Sequence, residues 1–196
     1  MKNKWLVGAR LKTLPAAIVP VLVGTAGANR DLLNKSINLN LFVYALLVAL
    51  FLQVGVNYAN DYSDGIKGTD KNRIGPTRLV ASGLADAKSV KRAALICFLL
   101  AAIFGTLISV TTSYWFLLVG ALSILAAWGY TGGKKPYGYL GLGELFVFIF
   151  FGVIATTGSY LIQTMSLSWF SIFISFPVGF LACALLAINN LRDLNT

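Results

Sequence analysis

Six long apolar runs constrain the fold of this chain more than any other feature of its sequence. A helix needs roughly 20 mostly apolar residues to cross a bilayer. Runs of about that length occupy residues 11–28, 39–58, 92–111, 114–131, 143–163 and 168–190. Only 12% of the residues are charged, against about 25% in an ordinary soluble domain. We therefore predict an all-α fold, a polytopic bundle of about six membrane-spanning helices that forms one domain over residues 1–196.

The composition also limits the chemistry that the chain can carry out. The sequence has no histidine, and its two cysteines, Cys97 and Cys183, both lie inside apolar runs. Histidine bases and imidazole metal sites are therefore excluded, and a disulfide framework is not expected. A metal site would have to use oxygen ligands, which suit a hard cation such as Mg²⁺.

Charged residues are distributed unevenly about the predicted spans. The net charge is +9, with 16 Lys and Arg residues. If the N-terminus is cytoplasmic, all of these except Arg30 and Lys35 fall on the cytoplasmic side, as the positive-inside rule requires. The basic charge therefore indicates orientation in the cell membrane rather than nucleic-acid binding. All the acidic residues except Asp31 share that side, so we expect polar chemistry at the cytoplasmic face.

The first predicted span has a second interpretation. It is short, contains Pro15 and Pro20, and follows Lys2 and Lys4, a pattern that also occurs in cleaved signal peptides. An uncleaved membrane helix is the more economical interpretation, because five further apolar runs follow it.

Two polar clusters with the same spacing end the second and the sixth predicted spans. Asn57 and Asp61 are four residues apart, as are Asn189 and Asp193, and Asp64 follows Asp61 by three. On a helix these spacings place the side chains of each cluster on one face. Four membrane crossings separate the clusters, so both emerge on the same side and could form a single site.

The clustered carboxylates predict a divalent metal. Neighbouring carboxylates disfavour each other's ionisation unless a cation lies between them. Mg²⁺ is commonly held by one or two carboxylates together with substrate phosphates, and basic residues of the cytoplasmic loops could bind the other phosphate oxygens. We therefore predict that Asp61, Asp64 and Asp193 bind Mg²⁺ and that a diphosphate is the ligand. The alternative is that these residues are solvated charges at helix ends.

Five stretches of the sequence resemble one known family, the UbiA superfamily of intramembrane prenyltransferases. The stretch NYANDYSD at residues 57–64, with Asp70 after it, is similar to the first aspartate-rich motif of that family. The stretch NNLRD at residues 189–193 is similar to the start of the second motif. Three more stretches are most similar to the branch that prenylates 1,4-dihydroxy-2-naphthoate in menaquinone synthesis: LPAAIVP at 14–20, GPTRLVASG at 75–83 and YTGGKKPYGYLGLGE at 130–144.

This resemblance implies a fold, a reaction and a set of site residues. The fold is nine membrane helices around a cavity, with both motifs in cytoplasmic cap loops. The reaction is Mg²⁺-dependent electrophilic transfer of a polyprenyl group from polyprenyl diphosphate to the naphthoate, giving demethylmenaquinone. Carried onto this sequence, the resemblance implies that Asp61, Asp64 and Asp193 are catalytic metal ligands. It implies substrate contacts from Asn57, Asn60, Asp70, Arg78, Tyr130, Lys135, Asn189 and Asn190.

The sequence ends inside the second motif. In the family, another aspartate follows four residues after the position of Asp193, and about three more helices come after it, whereas this sequence stops at Thr196. We therefore expect the sequence to represent the N-terminal two-thirds of the nine-helix fold, with an incomplete metal site that would leave this stretch inactive on its own.

Three other functions stay open at the level of sequence. A related aromatic prenyltransferase that acts on 4-hydroxybenzoate would share the aspartate motifs. A cation-coupled membrane transporter could use the same carboxylates as ion ligands, although transport sites usually lie near the bilayer midplane. A structural membrane subunit would explain the hydropathy and the charge bias but not the paired clusters.

Overall fold

The computed structural model describes residues 3–32, 36–69 and 75–192, and this part of the chain is helical, with no strand. Its α-helices are α1 (Lys4–Ala9), α2 (Leu14–Asp31), α3 (Leu39–Lys67), α4 (Ala87–Thr111), α5 (Trp115–Gly129), α6 (Gly143–Val147), α7 (Ala155–Thr164) and α8 (Trp169–Arg192). Short 3₁₀ turns occupy Leu11–Thr13 and Tyr137–Leu140, and a π-helical segment, Phe148–Ile154, joins α6 to α7.

Five helical segments are long and apolar enough to cross a membrane: Lys4–Asp31, Leu39–Lys67, Ala87–Thr111, Gly143–Thr164 and Trp169–Arg192. The predicted polytopic helical bundle is confirmed, with one correction. The predicted span at 114–131 is a shorter apolar helix, α5, of 15 residues. It ends at Gly129 because the chain turns at Tyr130 and Thr131, although the hydropathy of the sequence continues to that point.

The first apolar run forms two helices rather than one. Helix α1 ends at Ala9, and the capping residue that follows, Arg10, has a φ of 52°, in the left-handed region. The 3₁₀ turn Leu11–Thr13 then leads into α2. Pro15 lies in the first turn of α2, where its missing N–H removes no helical hydrogen bond. Helix α2 packs against α3, α7 and α8. The first run is therefore an integral part of the bundle.

Small residues bring neighbouring helices into close contact. A Cβ atom added to Gly24 of α2 would lie 2.2 Å from the backbone oxygen of Thr156 in α7. One added to Gly152 would lie 2.5 Å from the Cα atom of Gly179 in α8. Helices in lipid associate through such contacts, because lipid provides no hydrophobic driving force between them. These crossings hold α2 against α7 and the π-helical segment against α8.

A buried cluster joins the end of α3 to the start of α4 and to the loop between them. Leu79 and Val90 are fully buried in this cluster, which also contains Tyr58. At the start of α4, the backbone N–H of Ser89 donates to Asp86 Oδ2 at 2.9 Å. Hydrogen bonding from Ser89 lowers the pKa of this exposed carboxyl group. The part of this loop around Leu79 and Ala85 is thus packed onto the bundle.

We predict that Gly24→Ala lowers the thermal stability of the protein in detergent. The added methyl group would overlap the Thr156 carbonyl oxygen, at a cost of about 1–3 kcal/mol. Gly120→Ala is the matched control, since a Cβ added at that helical position has no heavy atom within 4 Å. Thermal unfolding followed by circular dichroism compares the two variants. Equal losses of melting temperature would contradict the tight α2–α7 crossing.

Candidate active site

A large cavity runs through the bundle, with a volume of about 1380 Å³. Ligand pockets in proteins usually measure about 300–1,000 Å³, so this cavity has room for a long molecule. Most of its wall is apolar, but the ends of α3 and α8 and two loops contribute polar side chains. We call this region the polar end. It contains seven of the residues that the sequence predicted: Asn57, Asn60, Asp64, Arg78, Tyr130, Asn189 and Asn190.

Asp64 contributes a carboxylate to the polar end. Its side chain is buried, and its Oδ2 atom lies 3.3 Å from Arg78 Nη2. The hydroxyl of Tyr139 donates to Asp64 Oδ1 at 2.5 Å. A buried charge is tolerated only when it is paired and hydrogen-bonded, and here both carboxylate oxygens have such partners. The polar end thus places a cation-binding group and an anion-binding group side by side.

Asp61 occupies a different environment, although it lies on the same helix. Its exposure is 0%, and it is not among the residues that line the cavity. Its two oxygens accept hydrogen bonds from the backbone N–H groups of Leu79, at 2.7 Å, and Val80, at 3.0 Å. Gly65 makes room for this loop, since an added Cβ would lie 2.5 Å from Val80 Cγ1. Asp61 therefore holds the loop that carries Arg78 against α3.

The two asparagines of the first motif line the cavity and also brace the segments beside it. Asn57 Nδ2 donates to the carbonyl of Ala9 at 2.9 Å and to Thr13 Oγ1 at 3.0 Å. Asn60 Oδ1 accepts a hydrogen bond from Thr131 Oγ1 at 2.8 Å. These bonds tie α3 to the connection between α1 and α2 and to the loop after α5. The first motif therefore organises the rim of the cavity as well as its surface.

Three tyrosines form an aromatic wall at the polar end: Tyr130, Tyr137 and Tyr139. The rings of Tyr130 and Tyr137 meet edge to face, with centroids 5.5 Å apart, and Tyr137 stacks on Phe146 at 3.9 Å. Burial, with a smaller contribution from Tyr130, raises the pKa of the Tyr137 hydroxyl. The hydroxyl therefore stays protonated at neutral pH and donates to the Ala126 carbonyl at 2.9 Å. Aromatic faces in such a wall can attract a cation.

The described part of the second motif reaches the same cavity. Asn189 and Asn190, near the end of α8, both line it. Asn190 Nδ2 donates to Glu144 Oε1 at 3.1 Å, and Asn189 Oδ1 accepts from Arg192 Nη1 at 3.1 Å. Helices α3 and α8, far apart in sequence, therefore deliver amide side chains to one cavity.

Some predicted site residues are not placed at the polar end. Asp70 and Asp193 lie outside the described residues. Within the described part of the chain, no three His, Cys, Asp or Glu residues form a group that could hold a metal ion. Lys135 is exposed in the loop after α5 and is not among the cavity residues. The metal-binding role of Asp61, Asp64 and Asp193 and the substrate contacts of Asp70 and Lys135 stay predictions.

Tyr139 is a residue of the polar end that the sequence did not single out. It lies in the stretch 130–144, but only its contact with Asp64 distinguishes it from its neighbours. Lys67 helps to hold this loop: its Nζ donates to the Thr131 carbonyl at 2.6 Å and lies 5.3 Å from the centroid of the Tyr139 ring. Tyr139 can be identified only once the path of its loop over α3 is known, because no local sequence pattern indicates that path.

Comparison with known proteins relates this arrangement to a family. A profile of the UbiA prenyltransferase family matches residues 17–196. The chain is 47% identical, over 193 residues and 98% of its length, to 1,4-dihydroxy-2-naphthoate octaprenyltransferase of Mycobacterium tuberculosis. It is 40% identical, over 199 residues and 98% of its length, to the protein of the same name in Escherichia coli. It is 27% identical, over 173 residues and 86% of its length, to 2-carboxy-1,4-naphthoquinone phytyltransferase of Synechocystis.

The chain spans only part of these relatives, covering 65%, 64% and 53% of their respective lengths. The family profile nevertheless includes both polar clusters and every residue of the polar end, because it extends from residue 17 to residue 196. On this match, and on the identity to the two octaprenyltransferases, the chain belongs to the UbiA prenyltransferase family.

Proposed function

We propose that this protein transfers a polyprenyl group from polyprenyl diphosphate to 1,4-dihydroxy-2-naphthoate in the cytoplasmic membrane, giving diphosphate, carbon dioxide and demethylmenaquinol, the two-electron reduced form of demethylmenaquinone. The observation that carries the proposal is the cavity, which has Asp64 and Arg78 at its polar end and mostly apolar walls elsewhere. A prenyl diphosphate has the same two parts, a charged head and a long apolar tail. The family, and the names of the relatives, support the reaction class and the naphthoate acceptor.

The diphosphate head would bind at the polar end. The guanidinium of Arg78 can donate to phosphate oxygens in a fork-like geometry, and the amide groups of Asn60 and Asn189 offer further donors. Asp61 would act indirectly in this proposal. Its oxygens hold the backbone next to Arg78, so we propose that it positions the guanidinium, in place of the metal-binding role that the sequence predicted for it.

The residues of the polar end fit a magnesium ion. The acidic and amide side chains that line this part of the cavity offer oxygen ligands, and the described lining residues include no cysteine or methionine sulfur. Oxygen ligands are those that Mg²⁺ prefers. Asp64 would hold the ion from the first motif and Asp193 from the second. When bound, Mg²⁺ stabilises the negative charge of the departing diphosphate.

The chain's own residues would protect and direct the reacting carbon. Departure of the diphosphate leaves an allylic cation at the end of the prenyl chain, and the faces of Tyr130 and Tyr137 can stabilise that cation by about 0.5–2 kcal/mol each. Apolar wall residues such as Phe146 and Phe150 exclude water from it. The electron-rich naphthoate ring then forms the new carbon–carbon bond, and its carboxyl group leaves as carbon dioxide.

The position of the charged groups favours this reaction over cation transport. Transport sites usually lie near the bilayer midplane, on interrupted helices. Asp64 lies in the last turn of α3, and Asn189 near the end of α8. The nearest alternative, prenylation of 4-hydroxybenzoate, differs from the proposed reaction in its aromatic acceptor. The names of the relatives favour an acceptor with a naphthalene ring.

We expect the protein, expressed from its complete gene and reconstituted in liposomes, to prenylate 1,4-dihydroxy-2-naphthoate when supplied with octaprenyl diphosphate and Mg²⁺. Chelation with EDTA should abolish turnover and added Mg²⁺ should restore it, because the diphosphate is a poor leaving group without its counter-charge. Mass spectrometry of the extracted lipid detects the product. Turnover of 4-hydroxybenzoate in preference to the naphthoate would refute the acceptor assignment.

The different environments of Asp64 and Asp61 predict different kinetic defects. Asp64→Asn should raise the Mg²⁺ concentration for half-maximal activity by at least about tenfold, because it removes a ligand. Asp61→Asn should lower kcat with little change in that concentration, because it displaces the loop that carries Arg78. Asp86→Asn removes an exposed carboxylate that is not among the cavity residues and is the control. Equal shifts in Mg²⁺ requirement for Asp64→Asn and Asp61→Asn would show that both bind the metal.

A further inference from the structure

Three of the glycines that line the cavity lie in the interiors of helices: Gly105 of α4, Gly120 of α5 and Gly158 of α7. A Cβ atom added at Gly105 or Gly120 would have no heavy atom within 4 Å, and one added at Gly158 would lie 3.8 Å from the Phe116 ring. The space beside these residues is therefore cavity rather than packed protein. We call this region the glycine end.

The glycine end lies next to an apolar part of the cavity wall. Gly105 and Gly120 flank the turn between α4 and α5, with Ile108 and Phe116 between them and that turn. Ile108 is buried in a cluster with Val21, and Phe116 packs against the same cluster. Apolar side chains thus line the cavity just beyond the two glycines.

The glycine end is far from the polar end. Gly120 precedes Gly129 by nine residues of α5, a distance of about 14 Å at the rise of an α-helix. On α3, Ala45 belongs to the same buried cluster as Ile108 and precedes Asp64 by 19 residues, a distance of about 28 Å along the helix. That length approaches the roughly 30 Å thickness of a bilayer's hydrocarbon core. Only the distal part of a long tail, with its head beside Asp64, would reach the glycines.

Within the part of the chain that the structure describes, packing does not account for these two glycines. Gly24 and Gly152 allow neighbouring backbones to approach each other, whereas Gly105 and Gly120 have only empty space beside them. Glycine in a helix interior costs about 1 kcal/mol relative to alanine. No contact among the described helices requires glycine at these two positions, and the structural consequence is a wider cavity.

We propose that Gly105 and Gly120 set the longest prenyl tail that the cavity accepts. The inference rests on the proposed function and adds that these residues discriminate between donors by length. Because they lie away from the polar end, they act on the tail and not on the diphosphate or the acceptor. A large side chain at either position would fill the outer part of the cavity and exclude long tails while leaving room for short ones.

The test compares Gly120→Phe with Ala121→Phe. Ala121 is the next residue of α5, is exposed, and is not among the cavity residues, so its variant carries the same ring on the outer face. Turnover is measured with farnesyl and with octaprenyl diphosphate at saturating naphthoate. For Gly120→Phe we expect the ratio of turnover with octaprenyl diphosphate to turnover with farnesyl diphosphate to fall by about tenfold or more. For Ala121→Phe we expect the same turnover ratio as in the parent protein.

Two further variants keep the inference falsifiable if Gly120→Phe fails to fold. Gly105→Phe tests the facing helix, and Gly120→Leu should lower the ratio by a smaller factor. An unchanged ratio in the folded glycine variants, or an equal fall in Ala121→Phe, would overturn the inference and leave the proposed function intact. A parent protein that uses neither donor would overturn the proposed function, and the inference with it.

Discussion

The buried pair of Asp64 and Arg78 is the interaction on which the rest of this site depends. Charges at membrane depth are costly and persist only where they are paired or functional. Here the carboxylate and the guanidinium lie 3.3 Å apart at the polar end of a mostly apolar cavity. Asp61 fixes the loop that carries Arg78, and Tyr139 donates to the second oxygen of Asp64. Much of the first motif therefore supports one charged pair.

The packing of the helices forms the cavity in which this charged pair lies. Close crossings, such as that of Gly24 with Thr156, bind the bundle together on one side, while the glycines of α4 and α5 leave space on the other. The resulting cavity extends about 28 Å along α3, and apolar side chains near Phe116 line its far part. Beside mostly apolar walls, electrostatic interactions are stronger than in water. A charged head and an apolar tail can thus be held by one continuous surface.

Features that depend on local pattern were predictable from the sequence, and features that depend on tertiary contact were not. The apolar runs predicted the helices, and the four-residue spacing predicted that the polar residues of each motif share one helix face. The hydropathy pattern overestimated the length of α5, because the apolar run continues through the turn at Tyr130 and Thr131. Spacing treated Asp61 and Asp64 alike, since both lie on one helix face. Their environments differ only because the loop packed against α3 hydrogen-bonds to Asp61 and leaves Asp64 at the cavity. Contact between segments distant in sequence also brings Tyr139 to Asp64.

The central claim is that a diphosphate head binds beside Asp64 and Arg78 while its tail occupies the cavity. A cryo-electron microscopy structure with farnesyl thiodiphosphate and Mg²⁺ tests it most directly. We predict density for the diphosphate in contact with the Arg78 guanidinium, a metal ion on the Asp64 carboxylate, and a tail that extends between α3 and α5 toward Gly120. A ligand bound outside this cavity, or ends of α3 and α8 that emerge on opposite sides of the membrane, would contradict the claim.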